Sequence, residues 1–162
     1  ATGAIDTTIK DVDKTADDWV EQAAEKVEAD EGNTYVKLDR GILTVDQINY
    51  FLNSMPMELT YADSNNQFLY YNYMKEAEDM LASRTPAQVG SPLAQCHPER
   101  TYTGVAWVIQ QLRTGKQDRV TVQVPNHGQD KFVVNNSQAM HIEEGNYMGI
   151  NTNIQELNTI FT

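Results

Sequence analysis

"PERTYTGVAWVIQQLRTGKQDRVTVQV" (residues 98–124) changes its period half-way along, and that change decides the fold class. In its first part Tyr102, Val105, Ala106, Ile109 and Leu112 recur at helical spacing, with Pro98 suited to the first helical position. Gly115 is the residue type that ends such a helix. Beyond it Val120, Val122 and Val124 alternate with Thr121 and Gln123, the two-residue period of a strand with one buried face. A long helix therefore leads straight into a strand.

Downstream, "PNHG" turns the chain, "KFVVNNSQAMHI" reads as a long strand, "EEGN" turns it again and "YMGINTNI" completes three strands. Upstream, "LTVDQINYFLNSMP" carries a capping box, Thr44 with Gln47, followed by Val45, Ile48, Phe51 and Leu52 at helical spacing. Then "MELTYADSNNQFLYYN" reads as a hairpin, because Met57, Leu59 and Tyr61 alternate with polar or small residues before the turn chemistry of residues 63–66. Residues 73–90 look like short helical pieces broken at Pro86 and Gly90. The expected order is helix, two strands, short helices, one long helix and three strands: an α+β fold whose five-stranded antiparallel sheet is split two and three around a helical middle.

Residues 1–40 have a different texture and read as an N-terminal extension to a domain spanning 41–162. In "TADDWVEQAAEKVEADEGN" Thr15 is a candidate cap and Gly32–Asn33 a candidate stop, with Trp19, Ala23 and Val27 on a narrow apolar stripe. Such a helix either packs on the domain or pairs with another chain.

Composition narrows the function classes. Apolar residues make up 40% of the 162, enough for a core. Twenty-three acidic against twelve basic side chains give a net charge of −11, and no basic patch exists to neutralise nucleic-acid phosphates. A single cysteine allows no internal disulfide and fits a reducing, cytoplasmic compartment. No apolar run approaches the roughly 20 residues of a membrane span, and residues 1–6 lack the pattern of a secretory leader. The chain opens on Ala1 rather than Met, which reads as a part of a longer parent protein with attached domains.

The order of elements resembles a PAS domain, and the local residues are similar to the PAS-like module of the bacterial DUF438 group, whose members often carry a hemerythrin-like domain. The resemblance rests on Leu43, Thr44, Gln47, Asn53 and Pro56; on Gly90, Cys96, His97 and Pro98; and on Gly145, Tyr147 and Gly149. It spans roughly residues 41–157. Where that group carries a histidine in the first turns of the long helix, this chain reads "ERTYT", so the helix histidine of a metal or haem role is missing. The resemblance implies a signalling module that holds a small ligand between sheet and helices or serves as a dimerisation unit, and it implies no enzyme. The ligand or cofactor stays unidentified.

Under that resemblance, Val133, Asn135, Ser137, Ala139 and His141 face the central cleft, and the same parity turns Tyr147, Gly149 and Asn151 inward. Phe132, Val134 and Met140 then form an apolar outer face that an N-terminal helix or a second subunit covers, which favours a homodimer. The ligand-contact candidates are Cys96, His97, Tyr102, Asn135, Ser137 and Asn151.

The Cys96–His97 corner has three readings: a helix start with no chemistry, a ligand contact, or a nucleophile whose thiol pKa the helix dipole lowers. Adjacent residues rarely aim both side chains at one atom, and no third orienting group is evident. A haem or metal sensor through His97 is a further alternative. His127, in the "PNHG" turn, and His141, at a strand end, read as solvent-facing, and no spacing matches a structural zinc site. No catalytic and no metal-binding residue is assigned.

Overall fold

The computed structural model describes residues 9–73, 76–97, 99–124, 132–142 and 144–157. Pro98, the "PNHG" turn with His127, and Glu143 lie outside them. The first helix, α1 (Trp19–Lys26), is shorter than its sequence pattern at both ends. Thr15 does not cap it, because its N–H and hydroxyl both donate to Asp13 Oδ1, at 2.9 and 2.6 Å. At the other end Glu28 takes a positive φ of 53°. Trp19 and Ala23 are fully buried in the core, so α1 packs on the domain itself.

A hairpin that sequence alone does not announce follows: β1 (Tyr35–Leu38) pairs with β2 (Gly41–Thr44), and Tyr35 and Ile42 stay exposed. Its strands bury no face, so they lack the apolar alternation by which strands are recognised. The expected capping box then opens α2 (Val45–Asn53): the Gln47 N–H donates to Thr44 Oγ1 at 3.1 Å, and the Thr44 N–H to Gln47 Oε1 at 2.9 Å. The apolar stripe of α2 is not a core face. None of its residues is buried, and Tyr50 and Phe51 are 69% and 61% exposed.

The five-stranded antiparallel sheet has the order β4-β3-β7-β6-β5, with β3 (Glu58–Ala62), β4 (Phe68–Tyr71), β5 (Arg119–Val124), β6 (Val133–His141) and β7 (Tyr147–Glu156). The two halves of the chain meet where β3 pairs with β7. Three short 3₁₀ turns, Ala77–Asp79, Pro86–Gln88 and Leu93–Cys96, lead to α3 (Glu99–Arg113), whose Ile109 and Leu112 enter the core as their spacing predicts. Tyr102 stays partly exposed at the far end of that stripe. At its C-terminal end, Arg113 grips the β3–β4 turn through Ser64 O (2.6 Å) and Asn66 Oδ1 (2.8 Å), and lies over the Tyr147 ring 4.8 Å from its centre. Two buried polar side chains fasten the β3 side. Asn72 accepts from the Leu59 N–H and donates to the carbonyls of Leu52 and Met57. The carboxylate of Glu58 accepts the N–H groups of Leu81 (2.8 Å) and Ala82 (3.0 Å), anchoring the irregular segment to the sheet.

One bulge reorders the sheet. Ser137 pairs with Thr152 and Ala139 with Ile150, but His141 pairs with Tyr147, leaving Met148 as an extra residue of β7. Tyr147 keeps its expected inward side and packs against the core. From Met148 onward the parity reverses, so Ile150, Thr152 and Ile154 share the face of Asn135 and Ser137. Gly149 and Asn151 do not turn inward as expected, because an unbroken alternation does not survive an inserted residue.

The outer face is also less apolar than its sequence suggests. Across its centre runs a ladder of amides: Thr121 Oγ1 donates to Asn136 Oδ1 at 2.6 Å, and Asn136 Nδ2 to Asn153 Oδ1 at 3.2 Å. Trp19 does not cover this face. Its helix sits by the Pro86–Gln88 turn instead, and its indole N–H donates to Pro86 O.

Candidate functional site

Between α3 and the inner face of the sheet lies a cavity of about 420 Å³. Its walls are apolar: Val105, Val108 and Ile109 of α3 face Val120, Val122 and Val124 of β5, with Ile150 and Ala62 behind. The valines of β5 face it for the reason their alternation gives, one side of a half-buried strand.

Into this apolar space project a few polar groups. Asn135 and Ser137 lie on the floor, as the parity of β6 requires, joined by a long contact of 3.4 Å from Ser137 Oγ to Asn135 Oδ1. That contact is too long to be a full hydroxyl hydrogen bond, and it engages Oδ1 only, leaving the Asn135 amide N–H₂ without a partner among the described residues. Thr60 and Thr152 add hydroxyls to the same floor.

At the end nearest the start of α3 stand His97 and Arg84. The His97 Nδ1–H donates to the carbonyl of Leu93, 2.8 Å away, which fixes the tautomer and leaves Nε2 as the acceptor of the neutral ring. Burial lowers the His97 pKa below the usual imidazole value; the Leu93 carbonyl opposes this and the nearby Arg84 charge adds to it.

Of the six sequence candidates, His97, Asn135 and Ser137 line the cavity. Asn151 lies on the opposite face, in a shallower cleft of about 280 Å³ with Tyr61, Tyr70 and Met140; its inner-face counterpart is Thr152. Cys96 and Tyr102 are not among the lining residues. Cys96 ends a 3₁₀ turn three residues before α3 begins, and its Sγ lies 3.6 Å from Pro92 O. Its thiol is the reverse of an activated nucleophile, because burial pushes its pKa up against the smaller lowering effect of Arg84. His141 is exposed and contacts Gly145 O and Asp118 Oδ1. Among the described residues no three His, Cys, Asp or Glu side chains come together as a metal site.

Two contributors escaped sequence reading. The direction of Thr152 depends on the bulge at Met148, which has no signal in the local residue pattern. Arg84 sits in an irregular segment with no period to betray its direction.

Comparison with known proteins agrees with this architecture. The family model described as "PAS domain" matches residues 48–158. The crystal structure of a C-terminal domain from Streptococcus mutans superimposes with a TM-score of 0.74 at 31% identity, covering 81% of this chain and 98% of that one. A PAS domain from Colwellia psychrerythraea gives 0.52 at 12% identity, covering 71% and 98%. The PAS domain of BvgS from Bordetella pertussis gives 0.50 at 13%, covering 69% and 85%. No curated protein matches the chain. With the sheet order, the α3 cavity and the family match in accord, the chain belongs to the PAS domain family, a family of sensing and signalling modules.

Proposed function

We propose that this chain is a sensory module that holds a small organic molecule between α3 and the sheet and relays its occupancy through contacts with a second copy. The observation that carries the reading is the combination of about 420 Å³ of space, valine walls and an Asn135–Ser137 floor with unspent hydrogen-bonding capacity. An apolar pocket with a few convergent polar groups is the usual form of a small-molecule site. The module acts by binding rather than turnover: Cys96 lies away from the cavity lining and keeps its proton at neutral pH. Residues 1–40 form an extension to the PAS-like unit of 41–162. The Cys96–His97–Pro98 motif favours the DUF438 group and a bacterial, cytoplasmic setting, and no described helix is long and apolar enough to cross a membrane.

A second reading, a ligand-free dimerisation scaffold, draws on the aromatic side chains that β1 and α2 leave exposed, Tyr35, Tyr50 and Phe51. One experiment separates the two. Native mass spectrometry of the protein taken from cell extract is expected to show an added small mass, and Ser137→Ile, which fills the floor, is expected to lose it while remaining folded. Protein free of any added mass, whose melting temperature is unmoved across a metabolite library, would leave only the scaffold.

A further inference from the structure

Arg84 lines the cavity, and no described carboxylate forms an ion pair with it. Among the described residues its only hydrogen bond runs from Nη1 to the carbonyl of Ser83, at 3.1 Å, and its Nε is buried with no partner. It lies over the Phe68 ring, 5.7 Å from the centre, a contact that orients the group but leaves its in-plane donors open. The nearest acidic influence, Glu58, forms no ion pair with it; that carboxylate accepts the Leu81 and Ala82 N–H groups instead. Burial lowers the Arg84 pKa, with Cys96 and Glu58 only partly offsetting it. A half-buried cation with one carbonyl acceptor and no ion pair among the described residues is under-compensated for the water it has lost, and neighbouring His97 does not relieve it. The start of α3, at the same end of the cavity, adds the positive pole of a fifteen-residue helix.

We infer that the cavity is built for a small organic acid, its carboxylate on the open donors of Arg84, its compact apolar body between the α3 and β5 valines, and any further polar group on Asn135 and Ser137. This deepens the sensory reading and rests on it. A carboxylate accepts a forked pair of N–H bonds from a guanidinium, a charge-assisted geometry that a neutral amide of the same shape cannot match.

The test uses the full chain and a matched pair of probes, 3-phenylpropanoate and 3-phenylpropanamide, titrated by calorimetry at neutral pH. The acid is expected to bind at least about tenfold more tightly than the amide, as one charge-assisted hydrogen bond suffices to give. Arg84→Met is expected to bring the acid down to the level of the amide, and Arg84→Lys to restore part of the difference. The acid-to-amide ratio in the unaltered protein stands as a test even if a variant does not fold. Equal binding of the two probes, or an Arg84→Met protein that still prefers the acid, overturns the choice of an anion while leaving an occupied cavity intact. If neither probe binds at millimolar concentration and the purified protein carries no added mass, both readings fail together.

Discussion

The indole N–H of Trp19 meets the carbonyl oxygen of Pro86 at 2.6 Å, so the N-terminal helix is fastened to the same irregular segment that presents Arg84 to the cavity. Trp19 is 1% exposed, and Pro86 belongs to a turn that has no sheet partner of its own. Replacing Trp19 by Phe keeps most of the packing but leaves the Pro86 carbonyl with the Val89 N–H alone, at 3.1 Å, and is expected to cost about 0.5–1.5 kcal/mol. Trp19→Ala is expected to cost about 3–5 kcal/mol. Urea denaturation followed by circular dichroism measures both, and a near-neutral Trp19→Ala would mean that α1 is not part of the core.

Two glycines predict opposite results. At Gly149, φ is +122° and an added Cβ would lie 2.1 Å from the Ala62 carbonyl oxygen, with backbone on every near side. Gly149→Ala is therefore expected to remove at least about 3 kcal/mol or to prevent folding. Gly104 sits inside α3 with nothing within 4 Å of the same position. Gly104→Ala is expected to stabilise by about 0.5–1 kcal/mol through helix propensity. Thermal melting of the pair checks the contrast.

Stability is expected to fall as pH drops below about 6.5, the ordinary histidine value. His97 has a lowered pKa when folded, so on acidification the unfolded chain takes up its proton first. The neutral ring loses nothing above that value, and the folded state weakens through the interval down to its own lowered pKa, by at most about 1.4 kcal/mol per pH unit. His97→Asn is expected to flatten this part of the curve of melting temperature against pH. An unchanged slope in that variant would place the sensitivity elsewhere.

Cys96 is expected to react slowly with iodoacetamide at pH 7.5, more slowly than a thiol in a short unstructured peptide, because burial holds it protonated. Arg84 pulls the other way, so Arg84→Met should slow alkylation further. Mass spectrometry of the modified fraction over time measures both rates. Fast labelling of Cys96 in the intact protein would revive the nucleophile reading.

Much of this fold was legible because its signals are local. The capping box of Thr44 and Gln47, the stripe of α3 and the valine alternation of β5 each depend on neighbours within a turn or two of chain. The floor residues Asn135 and Ser137 followed from β6 parity together with the PAS resemblance, which implied the set that faces the cleft, since that strand is regular as far as Met140. What failed was non-local or aperiodic. The β1–β2 hairpin buries no face and so leaves no pattern, and the helical spacing of α2 does not reveal that none of its residues is buried. Asn151 was misplaced by one extra residue in β7. Arg84 was invisible because its direction is dictated by Phe68, Ser83 and the Glu58 anchor, and none of these constraints has a sequence period.

The Met148 insertion acts on the sheet as a reading-frame shift acts on a message. With it, the inner face reads Ile150, Thr152, Ile154, the first two lining the cavity; in the other phase the same ribbon would offer Asn151, Asn153 and Gln155, an amide face that would need water or a far more polar guest. The chemistry of the chamber is thus written in chain length as much as in residue type: unbroken pairing that kept Met148 opposite Met140 would bring Gly149 and Asn151 to the floor, whereas deleting Met148 would remove the bulge and leave Ile150 and Thr152 where they are.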